Sequence, residues 1–219
     1  MDHRFMIFLS AALVLALVPG PGILYVLART LAGGRREGIS STLGTAVGGM
    51  VHVVAAAFGV SAILARSAVA FHTVKYMGAA YLVYVGLRTM FARDVEQAAA
   101  AATESAGPAR GSVGHGRAFG QGIVTEVLNP KMALFFLSFI PQFVDTSRPF
   151  VFTQFISLGA ISVALNSLSD LTVVLLAGWL GPRLMASAQR RRQQRIASGG
   201  VMVALGAYAA VADGPTSRP

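Results

Sequence analysis

Long apolar segments separated by arginine-containing stretches place the strongest constraint on how this chain can fold. A helix needs roughly 20 apolar residues to cross a hydrocarbon core about 30 Å thick, and lipid offers no partner for an open backbone. The sequence predicts six transmembrane helices, over residues 5–28, 39–64, about 74–91, 118–140, about 150–180 and about 197–212. The fifth segment is long enough to tilt in the bilayer, whereas the sixth is short for a full crossing.

The amino-acid composition agrees with a membrane protein. Hydrophobic residues make up 54% of the chain and charged residues 12%, about half of the roughly 25% that is usual in globular proteins. So few charges could not cover the surface of a water-soluble protein. The chain contains no cysteine, which excludes a disulfide scaffold and Cys-based metal sites. We therefore predict an all-α integral membrane protein.

The first segment has some features of a secretory signal peptide, namely Arg4, an apolar stretch and small residues near Gly20. However, Pro21 follows the one plausible cleavage position, and apolar sequence continues to Ala28. We therefore expect this segment to be retained as a transmembrane helix.

The arginines indicate orientation. Most of them lie in the loops predicted after the first, third and fifth helices, among them Arg29, Arg35, Arg36 and the run Arg190–Arg192. Because basic residues accumulate in cytoplasmic loops, these loops are predicted to be cytoplasmic and both termini to lie on the opposite side. A net charge of +9 could suit nucleic acid in a soluble chain, but here topology signals and lipid-headgroup contacts account for it. The predicted partner is the lipid bilayer, not nucleic acid.

A segment of different composition divides the chain into two halves. Residues of about 93–117 are rich in alanine, glycine, proline and serine, which is typical of a mobile linker. The halves, residues of about 5–92 and about 118–213, are each predicted to hold three helices. An odd number of helices makes the two halves inverted in the membrane, an arrangement common in transporters, with the site at the interface of the repeats. We predict a single transporter domain over residues 1–219.

Helix breakers occur in the first predicted helix of each half, at residues 19–22 (Pro-Gly-Pro-Gly) and 129–131 (Asn-Pro-Lys). A proline inside a helix displaces the carbonyl four residues earlier, which belongs to Leu15, Leu17 or Glu126. Freed carbonyls at membrane depth are tolerated only where protein or a cavity satisfies them. One break alone could be a structural kink. Two breaks in corresponding helices, with polar neighbours, favour a binding site.

Ionisable residues point to the same region. A charge at the bilayer centre costs roughly 2.5–3.5 kcal/mol on insertion scales, so it is usually functional or paired. Glu126 and Lys131 flank Pro130, while Asp170 lies in the fifth segment on one face with Asn166. If all three groups are ionised, the two carboxylates and one ammonium carry a net negative charge, which favours binding of a proton or a cationic ligand group. The structural alternative is an ion pair between the fourth and fifth helices.

An amino-acid zwitterion would suit such a site. Its ammonium could approach Glu126 or Asp170, and its carboxylate could use Lys131 or the N-terminus of a broken helix. His52 could relay protons, but a hydrogen-bonded packing role is the stronger expectation. The glycines Gly44 and Gly48 form a GxxxG motif, which predicts close helix packing. The predicted substrate-binding residues are Pro19, Gly20, Pro21, Glu126, Asn129, Pro130, Lys131, Asn166 and Asp170.

Several motifs resemble those of the LysE/RhtB family of amino-acid exporters. The first is residues 19–21 followed by residues 34–38 (GRREG), the second is residues 128–136 (LNPKMALFF) ending in residues 139–143 (FIPQF), and a third is residues 75–86 (KYMGAAYLVYVG). The resemblance covers nearly the whole chain in the expected order. Members of that family often have Asp or Asn where this chain has Gly22, and often Asn where it has Glu126.

The resemblance implies a secondary exporter of amino acids or amino-acid derivatives in the bacterial inner membrane, with protons as the coupling ion. The periplasmic placement of both termini follows from the arginine distribution. An exporter of metal cations or other small solutes on the same architecture is the alternative, and homo-oligomer formation stays open. The sequence lacks HExxH and GxSxG motifs, so we predict neither an enzyme nor a cofactor.

Overall fold

The computed structural model describes residues 3–66, 68–91, 112–145, 150–185 and 188–211. All regular secondary structure in these residues is helical. Most of the predicted linker lies outside the described residues, although its last residues belong to a helix. The elements in chain order are α1 (His3–Leu17), α2 (Pro21–Arg66), α3 (Ala68–Phe91), α4 (His115–Val127), α5 (Pro130–Leu134), a π-helical turn (Phe135–Phe139), a 3₁₀ turn (Ile140–Phe143), α6 (Val151–Met185) and α7 (Ala188–Val211).

The predicted break in the first apolar segment is present. Helix α1 ends at Leu17 and α2 begins at Pro21, so the proline occupies the first helical position, where its missing N–H costs nothing and its fixed φ is already helical. The connection predicted over residues 29–38 is present as a kink within α2 and not as a loop. Within α2 the backbone departs from helical geometry at Gly34, with φ of 79°, a conformation that glycine adopts without the steric cost of a side chain.

The second break separates α4 from α5. Asn129 has an extended backbone and its side-chain oxygen accepts a hydrogen bond from Lys131 N at 3.1 Å, which is the usual role of an N-cap residue. Pro130 favours this extended conformation in the preceding residue and starts the next helix. The helical segments on either side are bent by 48°.

Close packing positions α2 against α4 and α6, while α3 packs against α7. A Cβ at Gly44 would lie 2.2 Å from the Phe119 carbonyl oxygen, and one at Gly122 would lie 2.7 Å from the Ser41 carbonyl oxygen. The predicted packing role of the GxxxG glycine Gly44 is therefore confirmed. The buried core beside these helices contains Phe8, Phe135, Phe136, Phe139 and Phe155.

Length and composition make several described helices candidates for membrane crossing. Residues Pro21–Gly59 and Val151–Ala177 are long and apolar enough to cross a membrane. The bent helix pair His115–Val127 and Pro130–Phe143 also qualifies if the two are counted as one span. Helix α1 and the Gly199–Val211 end of α7 are shorter apolar helices. Many large apolar side chains are more than half exposed, as suits a lipid-facing surface; they include Leu17, Leu43, Phe58, Leu128, Leu168 and Leu175.

Two glycines on α4 provide a matched test of the α2–α4 contact. We expect Gly122→Ala to destabilise the protein by about 1–3 kcal/mol, because its new methyl group would press on the α2 backbone. Gly120→Ala should be neutral or slightly stabilising, since nothing lies within 4 Å of a Cβ there and alanine favours helix. The temperature at which the detergent-solubilised protein loses its monodisperse state would measure the stability of both variants. Equal midpoints for the two variants would contradict the close contact.

Candidate functional site

The two breaks meet at a small polar cavity enclosed by α2, α4, α5 and α6. Its volume is about 20 Å³, enough for roughly one water molecule. Five predicted site residues line it: Glu126, Asn129, Lys131, Asn166 and Asp170. Helix α2 adds residues that the sequence analysis did not select, namely Gly22, Ile23, Thr45, Ala46 and Gly49. The prolines Pro19, Pro21 and Pro130 and the glycine Gly20 shape the breaks and do not line the cavity.

Lys131 links the second break to the first. Its buried ammonium donates hydrogen bonds to the carbonyl oxygens of Leu15, at 3.2 Å, and Val18, at 3.1 Å. The Leu15 carbonyl is one that the sequence predicted to be freed by Pro19. The ammonium also lies at the C-terminal end of α1, where the helix dipole favours a cation. A Cβ on Gly20 would be 3.2 Å from Lys131 Nζ, so glycine leaves room for the lysine.

The predicted alternative of an ion pair across the fourth and fifth segments is absent from the structure. Among the described residues, the ion pair within 4.0 Å is that of Arg29 with Glu37, and Lys131 is not within that distance of either cavity carboxylate. The lysine ammonium instead makes its hydrogen bonds to backbone carbonyls of α1. Glu126 and Asp170 are therefore left to interact with polar groups and with the cavity.

Glu126 occupies space that Gly22 leaves open. Its carboxylate is buried and accepts a hydrogen bond from Asn129 Nδ2 at 3.1 Å. A Cβ on Gly22 would lie 2.4 Å from Glu126 Oε2, and one on Gly48 would lie 2.7 Å from Glu126 Cβ. This contact gives a physical reason for the two sequence departures noted above, because an acid at 126 leaves no room for a side chain at 22.

The carbonyl of Glu126 is the group that Pro130 was predicted to free. It accepts hydrogen bonds from Asn129 N at 3.0 Å and from His52 Nε2 at 3.0 Å. Since a carbonyl oxygen only accepts, the histidine must carry its proton on Nε2. The ring also stacks on Phe136, with centroids 6.3 Å apart. The expected hydrogen-bonded packing role of His52 is confirmed.

Asp170 on α6 contacts α2 through the side chain of Thr45. The Thr45 hydroxyl lies 2.9 Å from Asp170 Oδ2, and both side chains are buried. Asn166, one turn earlier, donates from Nδ2 to the Ser162 carbonyl at 2.9 Å and so bonds within its own helix. Thr45 was missed because neither a charge nor a helix breaker marks it in the sequence. Its position next to Gly44, on the packed face of α2, was the available signal.

A second buried polar cluster lies at the start of α4. Glu37 Oε1 accepts hydrogen bonds from Val113 N and Gly114 N, each at 2.8 Å, and from the Ser112 hydroxyl. Its other oxygen faces Arg29 Nη1 at 3.8 Å. Arg29 was predicted to be a loop residue, but it is 2% exposed. Glu37 thus joins the Gly34 region of α2 to residues 112–114, the segment that precedes α4.

Broken helices around a polar site are a common feature of membrane transporters. A family model described as LysE type translocator matches residues 13–213. The chain belongs to this family, which confirms the resemblance seen in the motifs and identifies a membrane translocator.

Curated relatives agree with this family. The chain is 31% identical to the leucine efflux protein of Salmonella typhimurium (strain LT2) over 171 residues, covering 78% of this chain and 77% of that protein. It is 29% identical to a membrane protein of Vibrio cholerae over 179 residues, covering 82% and 83%. It is 31% identical to the membrane protein YrhP of Bacillus subtilis over 147 residues, covering 65% and 69%. No solved structure matches the chain.

Replacing Lys131 would test its contacts with α1. We expect Lys131→Met to destabilise the protein by about 1–3 kcal/mol, because the Leu15 and Val18 carbonyls lose their donor. Leu128→Met, at an exposed position beside the same break, is the control and should behave as the wild type. Thermal loss of monodisperse protein again provides the measurement. A Lys131→Met variant as stable as the control would show that these hydrogen bonds contribute little.

The Arg29–Glu37 pair can be tested by a double-mutant cycle. We expect Glu37→Gln to cost about 1–3 kcal/mol, because it keeps an acceptor oxygen for residues 112–114 but leaves the buried Arg29 without its counter-charge. Adding Arg29→Met should recover part of that loss. The same thermal assay would compare the two single variants with the double variant. Strictly additive losses would contradict a coupled ion pair.

Proposed function

We propose that this protein is a secondary exporter of amino acids or amino-acid derivatives, energised by the proton gradient across the bacterial inner membrane. The observation that carries the proposal is the buried cavity where both helix breaks meet, lined by Glu126, Lys131 and Asp170. Membership in the LysE type translocator family supports a transporter. A relative named leucine efflux protein makes leucine the first amino acid to test.

The cavity offers complementary partners to both charged groups of a zwitterion. Carboxylates of Glu126 and Asp170 suit the substrate ammonium. An ammonium group has three N–H donors, so Lys131 keeps one beyond the two that bond α1. The first turn of α2 supplies Gly22 and Ile23 to the cavity wall, and the N–H groups of a first turn have no acceptor within their helix. We assign the substrate carboxylate to this end of α2 and to Lys131.

The size of the cavity requires movement during transport. At about 20 Å³ it is far too small for an amino acid, since that volume suits roughly one water molecule. The site is therefore too narrow in this structure to hold the substrate. We infer that the helices around it separate toward each side of the membrane in turn, as alternating access requires.

We propose six membrane spans arranged as two inverted three-helix repeats. A straight helix of the length of α2, 46 residues, would measure about 69 Å, more than twice the thickness of about 30 Å that a span must cross. Gly34 would divide the first span, which begins with α1, from the second. The hydrogen bonds of Glu37 to residues 112–114 support the proposed topology, because they join two regions that are both assigned to the cytoplasm.

Efflux from whole cells tests the function and the site. Cells that express the protein are preloaded with a panel of dipeptides, leucine-containing ones first, and released amino acids are followed over time. We expect faster release of at least one amino acid. Glu126→Gln and Asp170→Asn should each slow that release about tenfold or more at equal abundance, since each removes a charged hydrogen-bonding partner.

Controls separate the possible failures. Leu128→Met should export at the wild-type rate. Normal release by both carboxylate variants would reject the charged site. If no amino acid leaves faster although the protein is inserted in the membrane, amino-acid export is rejected, and an exporter of metal cations or other small solutes takes its place.

A further inference from the structure

The hydroxyl of Thr45 lies between two acceptors. It is 2.9 Å from the carbonyl oxygen of Thr42 in its own helix and 2.9 Å from Asp170 Oδ2 on α6. A hydroxyl has a single proton to donate, although its oxygen can also accept. Thr45 therefore cannot donate a full hydrogen bond to both neighbours. The contact with Asp170 has two forms, which differ in the position of one proton.

Each form satisfies the groups involved. When Asp170 is ionised, Thr45 donates to the carboxylate, and the charge makes this the stronger of its two acceptors. When Asp170 is protonated, its own O–H donates to Thr45, and the Thr45 proton turns to the Thr42 carbonyl, a common hydrogen bond for a helical threonine. Protonation changes the charge of Asp170 from −1 to 0, moves no heavy atom, and leaves no buried polar group without a partner at this contact.

The corresponding oxygen of the second carboxylate, Glu126 Oε2, lacks this freedom. Asn129 Oδ1 accepts from Lys131 N at 3.1 Å, which fixes the orientation of the amide, so Nδ2 must be the group that faces Glu126 Oε2 at 3.1 Å. An amide NH₂ only donates. Glu126 Oε2 is thereby held as an acceptor, as a ligand for a substrate ammonium should be.

The charged surroundings of Asp170 come from two other helices. Within the described part of the chain, the charged residues that share its cavity are Glu126 of α4 and Lys131 of α5, and α2 contributes uncharged residues. The titratable residue of α2 near the α4 break is His52, which donates to the Glu126 carbonyl. Lys131 is bonded to α1. Asp170 thus has a carboxylate neighbour and no ion-pair partner within 4.0 Å, so a proton or a substrate ammonium would stabilise it in this buried position.

We propose that Asp170 carries the coupling proton, with Thr45 as the positioning residue that lets it change protonation state in place, while Glu126 remains the ligand for the substrate ammonium. This inference rests on the proposed exporter function. A proton that enters from outside binds Asp170 Oδ2 after the substrate has left, and the same proton leaves toward the cytoplasm before the next substrate binds. Proton and substrate then occupy the cavity alternately, which couples their opposite movements.

Infrared difference spectra between acid and alkaline pH test the proton assignment without transport. The full-length protein in detergent should show the C=O band of a protonated buried carboxyl group. We expect Asp170→Asn to lose this band and Glu126→Gln to keep it. Thr45→Val should shift the band, because the protonated carboxyl loses its acceptor, and Thr45→Ser should restore its position. Loss of the band in Glu126→Gln with retention in Asp170→Asn, or an unshifted band in Thr45→Val, would overturn the proposal.

Transport in proteoliposomes adds a second readout that separates this inference from the proposed function. Uptake of labelled L-leucine is measured with and without a pH gradient, using variants that remain monodisperse. Loss of stimulation by the gradient in Asp170→Asn and Thr45→Val, with recovery in Thr45→Ser, supports the inference, and retained stimulation in Asp170→Asn overturns it. If the wild type moves no amino acid while the infrared results hold, the exporter proposal fails and the assignment of the proton to Asp170 is supported.

Discussion

The hydrogen bonds from the Lys131 ammonium to the Leu15 and Val18 carbonyls are the interaction on which the rest of the site depends. An interrupted helix in an apolar surrounding must find partners for its terminal carbonyls. Here α1 finds them in a side chain from the other interrupted helix. The two breaks are consequently not separate kinks. They form one structural unit, in which Lys131, the residue after Pro130, bonds the carbonyls at the end of α1, the helix that ends before Pro19.

This use of Lys131 determines the electrostatics of the cavity. If the ammonium paired with Glu126 or Asp170, a neutral pair would remain beside a single carboxylate. Because it bonds α1 instead, both carboxylates depend on neutral donors, Asn129 and Thr45. Neutral donors stabilise a buried carboxylate less than an ion pair does. The site therefore retains a preference for a cationic group or a proton, which is what proton-coupled export of a zwitterion needs.

Sequence reasoning located this site through proline chemistry. The positions of the breaks, the freed carbonyls of Leu15 and Glu126, and the presence of charges beside them all follow from local rules about proline and buried charge. The partner of Lys131 could not be predicted, because its direction is set by the bend between α4 and α5. Thr45 was missed for a related reason, since an uncharged helical residue becomes part of a site only through the helix that packs on it.

The errors around Arg29 and Gly34 have a different origin. Arginines between two apolar segments usually indicate a loop, but α2 is helical through this region apart from the single glycine. Arg29 is buried and faces Glu37, which in turn bonds residues 112–114, a long-range contact that no local pattern reports. Hydropathy therefore predicted a connection over residues that contain the break at Gly34, but the structure forms it as a kink and not as a loop.

Small residues make the close approach of α2 and α4 compatible with a buried acid. Gly44 and Gly122 bring the two backbones together, and Gly22 and Gly48 leave the space that Glu126 fills. Glu37 bonds the residues that precede α4, and at the other end of α4 the Glu126 carbonyl bonds His52, so both ends are tied to α2. Separating these helices would break both ends and the packing between them. Helix α6 also packs closely on α2, since a Cβ on Gly159 would lie 2.7 Å from Val53 Cγ2, and within the described residues the Thr45–Asp170 hydrogen bond adds the polar contact between these two helices.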